Sequence, residues 1–283
     1  MSKVREILQS RRFRTRLLSG IVLVLVAVAA ISAGGAVLLC TMAVVSLIGL
    51  FELYRVVKME REPIGLIGYI GGAAYYLLLW NNEGRYGIPV LIGVLMALMA
   101  VFVITYPRYR TEQIAVGFMG IPYTVVMFSY VYRTRMMPDG LYLVWLIFLA
   151  SWGCDTCAYV TGMLFGRHHF VKELSPKKTV EGALGGTLGA ALLGALYAVL
   201  FSARLQQLVD PAPVCFFACA VGAVISQVGD LAASAIKRDH GVKDYGNLIP
   251  GHGGILDRFD SMLFTAPAVY FALYIYDVVR FMR

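Results

Sequence analysis

LLSGIVLVLVAVAAISAGGAVLLCTMAVVSLIGLF, from Leu17 to Phe51, runs for 35 residues without a charge. A helix that crosses a bilayer needs about 20 apolar residues, within a range of about 17–25. This run is too long for one crossing, and longer than the roughly 7–15 residue core of a secretory signal. Ser32-Ala33-Gly34-Gly35 near its centre is a turn signal. The run therefore reads as two helices, 17–32 and 36–55, retained in the protein. Working outward, comparable apolar stretches lie at 64–80, 87–105, 113–132, 141–165, 184–202, 213–236 and 261–281. The fold class that follows is all-α: a polytopic integral membrane protein of about nine transmembrane helices.

Composition agrees. Hydrophobic residues make up 59% and charged residues 15%, against about 45–50% and about 25% in soluble domains. So few charges cannot cover a water-exposed surface. The net charge of +8 is read as topological rather than as a nucleic-acid footprint, because cytoplasmic loops collect Lys and Arg. With the N-terminus cytoplasmic, nineteen of the 25 Lys and Arg fall on the inner side and six on the outer. Merging the first two helices would erase that asymmetry. The five cysteines lie in apolar stretches. Cys154 and Cys157 form a CxxC with no partner pair at zinc spacing, so they read as small apolar residues.

The chain divides into an N-terminal part, 1–140, with about five spans and short loops, and a C-terminal part, 141–283. The latter has two longer cytoplasmic loops, 166–183 and 237–260, where the unusual polar residues gather. Asp155 lies about ten residues inside the sixth span. A carboxylate at that depth costs roughly 2.5–3.5 kcal/mol on insertion scales, which marks it as functional unless it is neutral or paired. Gln227, Asp230, Ser234, Lys237 and Arg238 follow helical spacing and form a polar stripe. That stripe faces either a water-filled cavity or a hydrogen-bonding seam between helices. Ser175-Pro176 reads as a helix entry with Pro at the first helical position, followed by Lys177, Lys178 and Thr179 as an anion site. The loop Lys243–Asp260 carries Gly251, Gly253 and Gly254, whose backbone N–H groups can approach an anion. Asp257, Asp260 and Ser261 start the next helix, and Asp230 and Asp257 are expected to converge from the ends of consecutive helices. Carboxylates beside cations and a glycine-rich loop suit Mg²⁺ and nucleotide phosphates. They do not suit a transition metal.

Ser234, Lys237-Arg238, Lys243-Asp244, His252-Gly253-Gly254, Asp257-Arg258 and Asp260, at their spacings, resemble the signature of the phosphatidate cytidylyltransferase (CDP-diacylglycerol synthase) family. Asp155 to Tyr159 and Ser175 to Gly182 also resemble family motifs. The likeness is concentrated in 150–270. It implies Mg²⁺-dependent transfer of the cytidylyl group of CTP to phosphatidic acid, giving CDP-diacylglycerol and pyrophosphate. It further implies a site facing the cytoplasm of a bacterial plasma membrane, a homodimer, and no nucleic-acid partner. Asp230 and Asp257 are the expected metal ligands, with Asp155 and Asp260 as further candidates. Lys178, Lys237, Arg238 and Arg258 are expected on CTP or lipid phosphates. Ser175, Lys177, Thr179, Ser234, Lys243, Asp244, Gly253 and Gly254 complete the substrate site. His252 either orients a phosphate or is structural. The alternatives are a CTP-dependent enzyme acting on another lipid, such as a polyprenol or an archaeal ether lipid, and a transporter. A transporter would spread its polar intramembrane residues through both halves.

Overall fold

The computed structural model describes residues 11–81, 87–171 and 173–281, with side chains from 17 to 276 within those ranges. Lys3, Arg5, Arg85, Lys172 and Arg283 of the charge count lie outside the described residues.

The described chain is helical, with no sheet and two isolated β-bridges, His169–Thr179 and Ile249–Gly253. A helix occupies each of the nine expected stretches. They are α1 (Arg11–Ala33), α2 (Gly35–Val56), α3 (Pro63–Trp80), α4 (Gly87–Ile104), α5 (Thr111–Arg135), α6 (Gly140–Phe165), α7 (Val180–Leu200), α8 (Pro211–Asp239) and α9 (Leu256–Phe281). Seven of them, α2 to α8, are long and apolar enough to cross a membrane. In α1 the apolar part is Leu17–Ala33. The break between α1 and α2 falls at Gly34, whose φ of 62° and ψ of −155° lie in a region open essentially to glycine alone.

Large apolar side chains face outward in numbers that water would not tolerate. α7 shows how this works. Leu184, Leu188, Leu192, Leu196 and Leu200 form an exposed row, while Gly182, Gly186, Ala190, Gly194 and Ala198 are buried. Both faces are apolar, so side-chain size sorts them: small residues let helices approach closely, and leucines meet lipid. The chain is an integral membrane protein.

The chain contains two compact units. The first joins residues up to Val125 to the loop His240–Phe259. Its core is built around Tyr54, which is fully buried and donates its hydroxyl to the Gly117 carbonyl. At the entry to α3, Glu62 accepts from Tyr109 Oη (2.7 Å) and Arg108 Nη2 (2.6 Å). The hydroxyl of Tyr109, then the charge of Arg108, hold the Glu62 carboxyl below the usual carboxylate range. The second unit comprises Val126–Asp239 and the chain from Asp260, with α6, α7 and α8 packed side by side.

Candidate functional site

In the second unit, α6 widens into a π-helical turn at Leu149–Gly153, and Asp155 lies in the first turn after it. Such turns recur at functional sites. Cys154 and Cys157 pack as small residues against α7, where a Cβ on Gly186 would lie 2.9 Å from the Cys154 carbonyl oxygen.

The sequence places the entry to α7 at Ser175-Pro176, and the structure corrects this. Lys178 N–H donates to the Ser175 carbonyl (3.1 Å), so Ser175–Lys178 is a turn with Pro176 at its second position. Pro is favoured there because its φ is already set. The helix begins at Val180. Thr179 is its N-cap, with Oγ1 accepting from Gly182 N–H at 3.1 Å. Lys177 and Lys178 therefore lie just ahead of the cap. Lys178 reaches across to pair with Asp230 on α8, both side chains being about a quarter exposed.

The polar stripe on α8 has two parts. Gln227 is a seam residue: its Nε2 sits 3.0 Å from Thr187 Oγ1 and 3.2 Å from the Ala183 carbonyl on α7. One turn further on, the stripe becomes charged. Asp230 faces Lys178, and Lys237 lies 3.9 Å from Asp260 on α9. Gly229 makes this possible, since a Cβ there would meet Phe264 Cβ at 2.9 Å and the Asp260 carbonyl oxygen at 3.1 Å. The charge of Asp230 acts on both Asp155 and Asp260. Three carboxylates thus share this region with two ammonium groups, Lys178 and Lys237. Ser234 is half-buried on the same helix, and Arg238 is exposed.

A cavity of about 310 Å³ opens here, with Asp155, Lys178 and Gln227 among its polar lining. Tyr159, Met163 and Phe170 line it too and are exposed. Lys177 and Thr179 also border it. Its lining thus sets charged groups, of which Asp155 and Lys177 are exposed, beside exposed apolar side chains.

In the first unit, the loop before α9 folds around two buried carboxylates. Asp257 Oδ2 accepts from Tyr245 N–H (2.8 Å), Gly254 N–H (3.0 Å) and Gly246 N–H (3.4 Å). Glu52, near the end of α2, accepts from Ile255 N–H on Oε1 (3.1 Å) and from Leu256 N–H on Oε2 (2.8 Å). Gly251 and Gly253 take φ of 77° and 88°, the left-handed region that favours glycine. His252 Nδ1 meets Ser19 Oγ at 2.8 Å. A second, polar cavity of about 630 Å³ is lined by Lys243, Asp244, His252, Gly253 and Arg258.

The structure thus gathers Asp155, Lys177, Lys178, Thr179, Asp230, Lys237 and Asp260 within one unit. Lys243, Asp244, His252, Gly253, Gly254, Asp257 and Arg258 belong to the other. Among the described residues, no group of three or more His, Cys, Asp or Glu side chains is gathered closely enough to hold a metal ion by itself. That does not conflict with Mg²⁺, which is usually held by one or two carboxylates plus substrate phosphates and water. The donors around Asp230 are hard oxygens, the kind that Mg²⁺ prefers. Sequence reasoning passed over Glu52, which lies only four residues from the end of α2 and so carries less of the depth cost that singled out Asp155.

Comparison with known proteins gives the family. The model of the cytidylyltransferase family matches residues 14–276. The phosphatidate cytidylyltransferases of Staphylococcus haemolyticus (strain JCSC1435) and Staphylococcus aureus (strain COL) are each 32% identical over 262 residues, covering 90% of this chain and 96% of the relative. That of Staphylococcus saprophyticus matches to the same extent. The match takes in both cavities and nearly all of the helices, and the chain belongs to the cytidylyltransferase family.

Proposed function

We propose that the protein transfers the cytidylyl group of CTP to phosphatidate, giving CDP-diacylglycerol and pyrophosphate. The observation that carries the reading is the cavity at Asp155, Lys177 and Lys178. Charged groups beside exposed apolar side chains suit a molecule with a phosphate head and acyl chains, and the names of the relatives point to the same substrate.

A phosphatidate oxygen attacks the α-phosphorus of CTP and forms a new P–O bond. The bond between the α-phosphorus and the bridging oxygen breaks, and pyrophosphate leaves with the electron pair. The nucleophile is already ionised at neutral pH, so the protein's contribution is positioning and charge neutralisation. Lys178 holds the lipid phosphate, and Asp230 keeps the ammonium of Lys178 oriented in the absence of substrate. Lys243, His252 and Arg258 line a polar cavity suited to the phosphates of CTP. Lys237 is steered by Asp260 toward developing charge. Asp230, with Asp155 or Asp260, offers oxygen donors that suit Mg²⁺, which when bound would neutralise phosphate charge.

The functional side chains face the cytoplasm of a bacterial plasma membrane, with nine crossings and a cytoplasmic N-terminus. The distribution of Lys and Arg supports this orientation. An impermeant thiol reagent applied to intact cells should label Asp210→Cys and spare Lys178→Cys; the reverse pattern would overturn it.

The reaction itself is tested with purified protein, CTP and mixed micelles, reading pyrophosphate release. Release should require phosphatidate. Release with a polyprenol or an archaeal ether lipid but not with phosphatidate would move the enzyme to a different substrate.

A further inference from the structure

We propose that Glu52, in the half of the chain that carries none of the family signature, is a positioning residue for the nucleotide-binding loop. This rests on the reading that the cavity at Lys243, His252 and Arg258 takes CTP.

Glu52 is 2% exposed, inside a helix long and apolar enough to cross a membrane. A carboxylate is costly there unless its oxygens are engaged. Both are: Oε1 accepts from Ile255 N–H and Oε2 from Leu256 N–H. Leu256 is the first residue of α9, so Glu52 takes up donors at a helix start that its own chain leaves unpaired, where a negative charge is favoured. A Cβ on Gly246 or Gly254 would run into the Glu52 carboxylate. One turn along α2, Arg55 Nη2 donates to the Tyr245 carbonyl at 2.8 Å.

From its other side, Asp257 holds Tyr245, Gly246 and Gly254. The segment between Tyr245 and Leu256 is therefore fixed at both of its ends, by α2 and by Asp257. That segment carries His252 and Gly253, and Lys243 and Arg258 flank it. Glu52 lines neither cavity, so it acts through the loop. Because both oxygens accept, Glu52→Gln must turn an amide N–H₂ toward a backbone N–H, leaving a buried donor unsatisfied. Glu52→Asp keeps both acceptors and the charge, on a shorter arm.

The test is hydrogen–deuterium exchange on the full-length protein in nanodiscs, with steady-state kinetics on the same samples. Glu52→Gln should speed exchange at least tenfold in peptides covering 254–257 and leave α8 unchanged. It should raise the KM for CTP at least fivefold and leave the KM for phosphatidate unchanged. Glu52→Asp should restore part of both changes. If Glu52→Gln cannot be purified folded, Glu52→Asp alone should show smaller shifts in the same direction. Unchanged exchange at 254–257 would overturn the role of Glu52 whatever the kinetics. Faster exchange with an unchanged KM for CTP would show that the loop is held by Glu52 but does not serve the nucleotide. Failure of the wild-type protein to release pyrophosphate with phosphatidate would instead sink the functional reading, independently of exchange.

Discussion

Asp257 and Asp260 lie three residues apart on α9, and their surroundings differ in kind. Asp257 has its Oδ2 directed at three backbone N–H groups of its own loop and is 7% exposed. Asp260 faces Lys237 and feels the charges of Asp230 and Asp155. The first arrangement folds a loop; the second concentrates charge beside a cavity. A carboxylate in a signature motif can thus meet backbone donors or charged side chains, and the fold around it decides which. Backbone donors are fixed by the fold, whereas lysines can exchange a carboxylate for a phosphate.

The largest effect should come from the charge cluster. Asp230→Asn keeps size and removes the partner of Lys178. The variant's kcat should fall at least about 100-fold, about 2.7 kcal/mol of transition-state stabilisation, with the thermal transition retained. Near-normal turnover in the purified variant would take Asp230 out of the site.

The two cavities should respond differently. Lys178→Ala should raise the KM for phosphatidate roughly tenfold and leave that for CTP nearly unchanged, as expected for lost ground-state binding. Arg258→Ala should do the opposite. If both variants shift the same substrate, the division of substrates between the two regions fails.

The smallest effect should come from the seam. Gln227→Leu removes two hydrogen bonds between α7 and α8 but no charge. Such bonds average about 0.6 kcal/mol within membranes, so activity should change less than about threefold. A loss comparable to that of Asp230→Asn would place Gln227 among the groups that bind substrate.

The helices were legible because hydropathy and glycine punctuation act over long stretches, and the break at Gly34 is an example. The entry to α7 was not. Ser175-Pro176 satisfies the rules for a helix start and for a turn equally well, and only the Thr179 cap decides between them. The packing of α7 was also hidden, because its two faces differ in size and not in polarity. Within the candidate site, the polar stripe on α8 was visible from its spacing, but its change from seam at Gln227 to charge at Asp230 depends on what α7 and α9 present. Glu52 was missed because its partners lie about 200 positions away in the chain and are backbone groups, which no side-chain pattern reveals.

Cytidylyl transfer is decided by where the atoms of CTP go. Purified protein is given phosphatidate vesicles and CTP labelled at either the α- or the γ-phosphorus, and the chloroform-soluble lipid is counted. The α-label should enter the lipid in proportion to pyrophosphate released, and the γ-label should remain entirely in the aqueous phase. Appearance of the γ-label in the lipid would mean phosphoryl rather than cytidylyl transfer and would contradict the account.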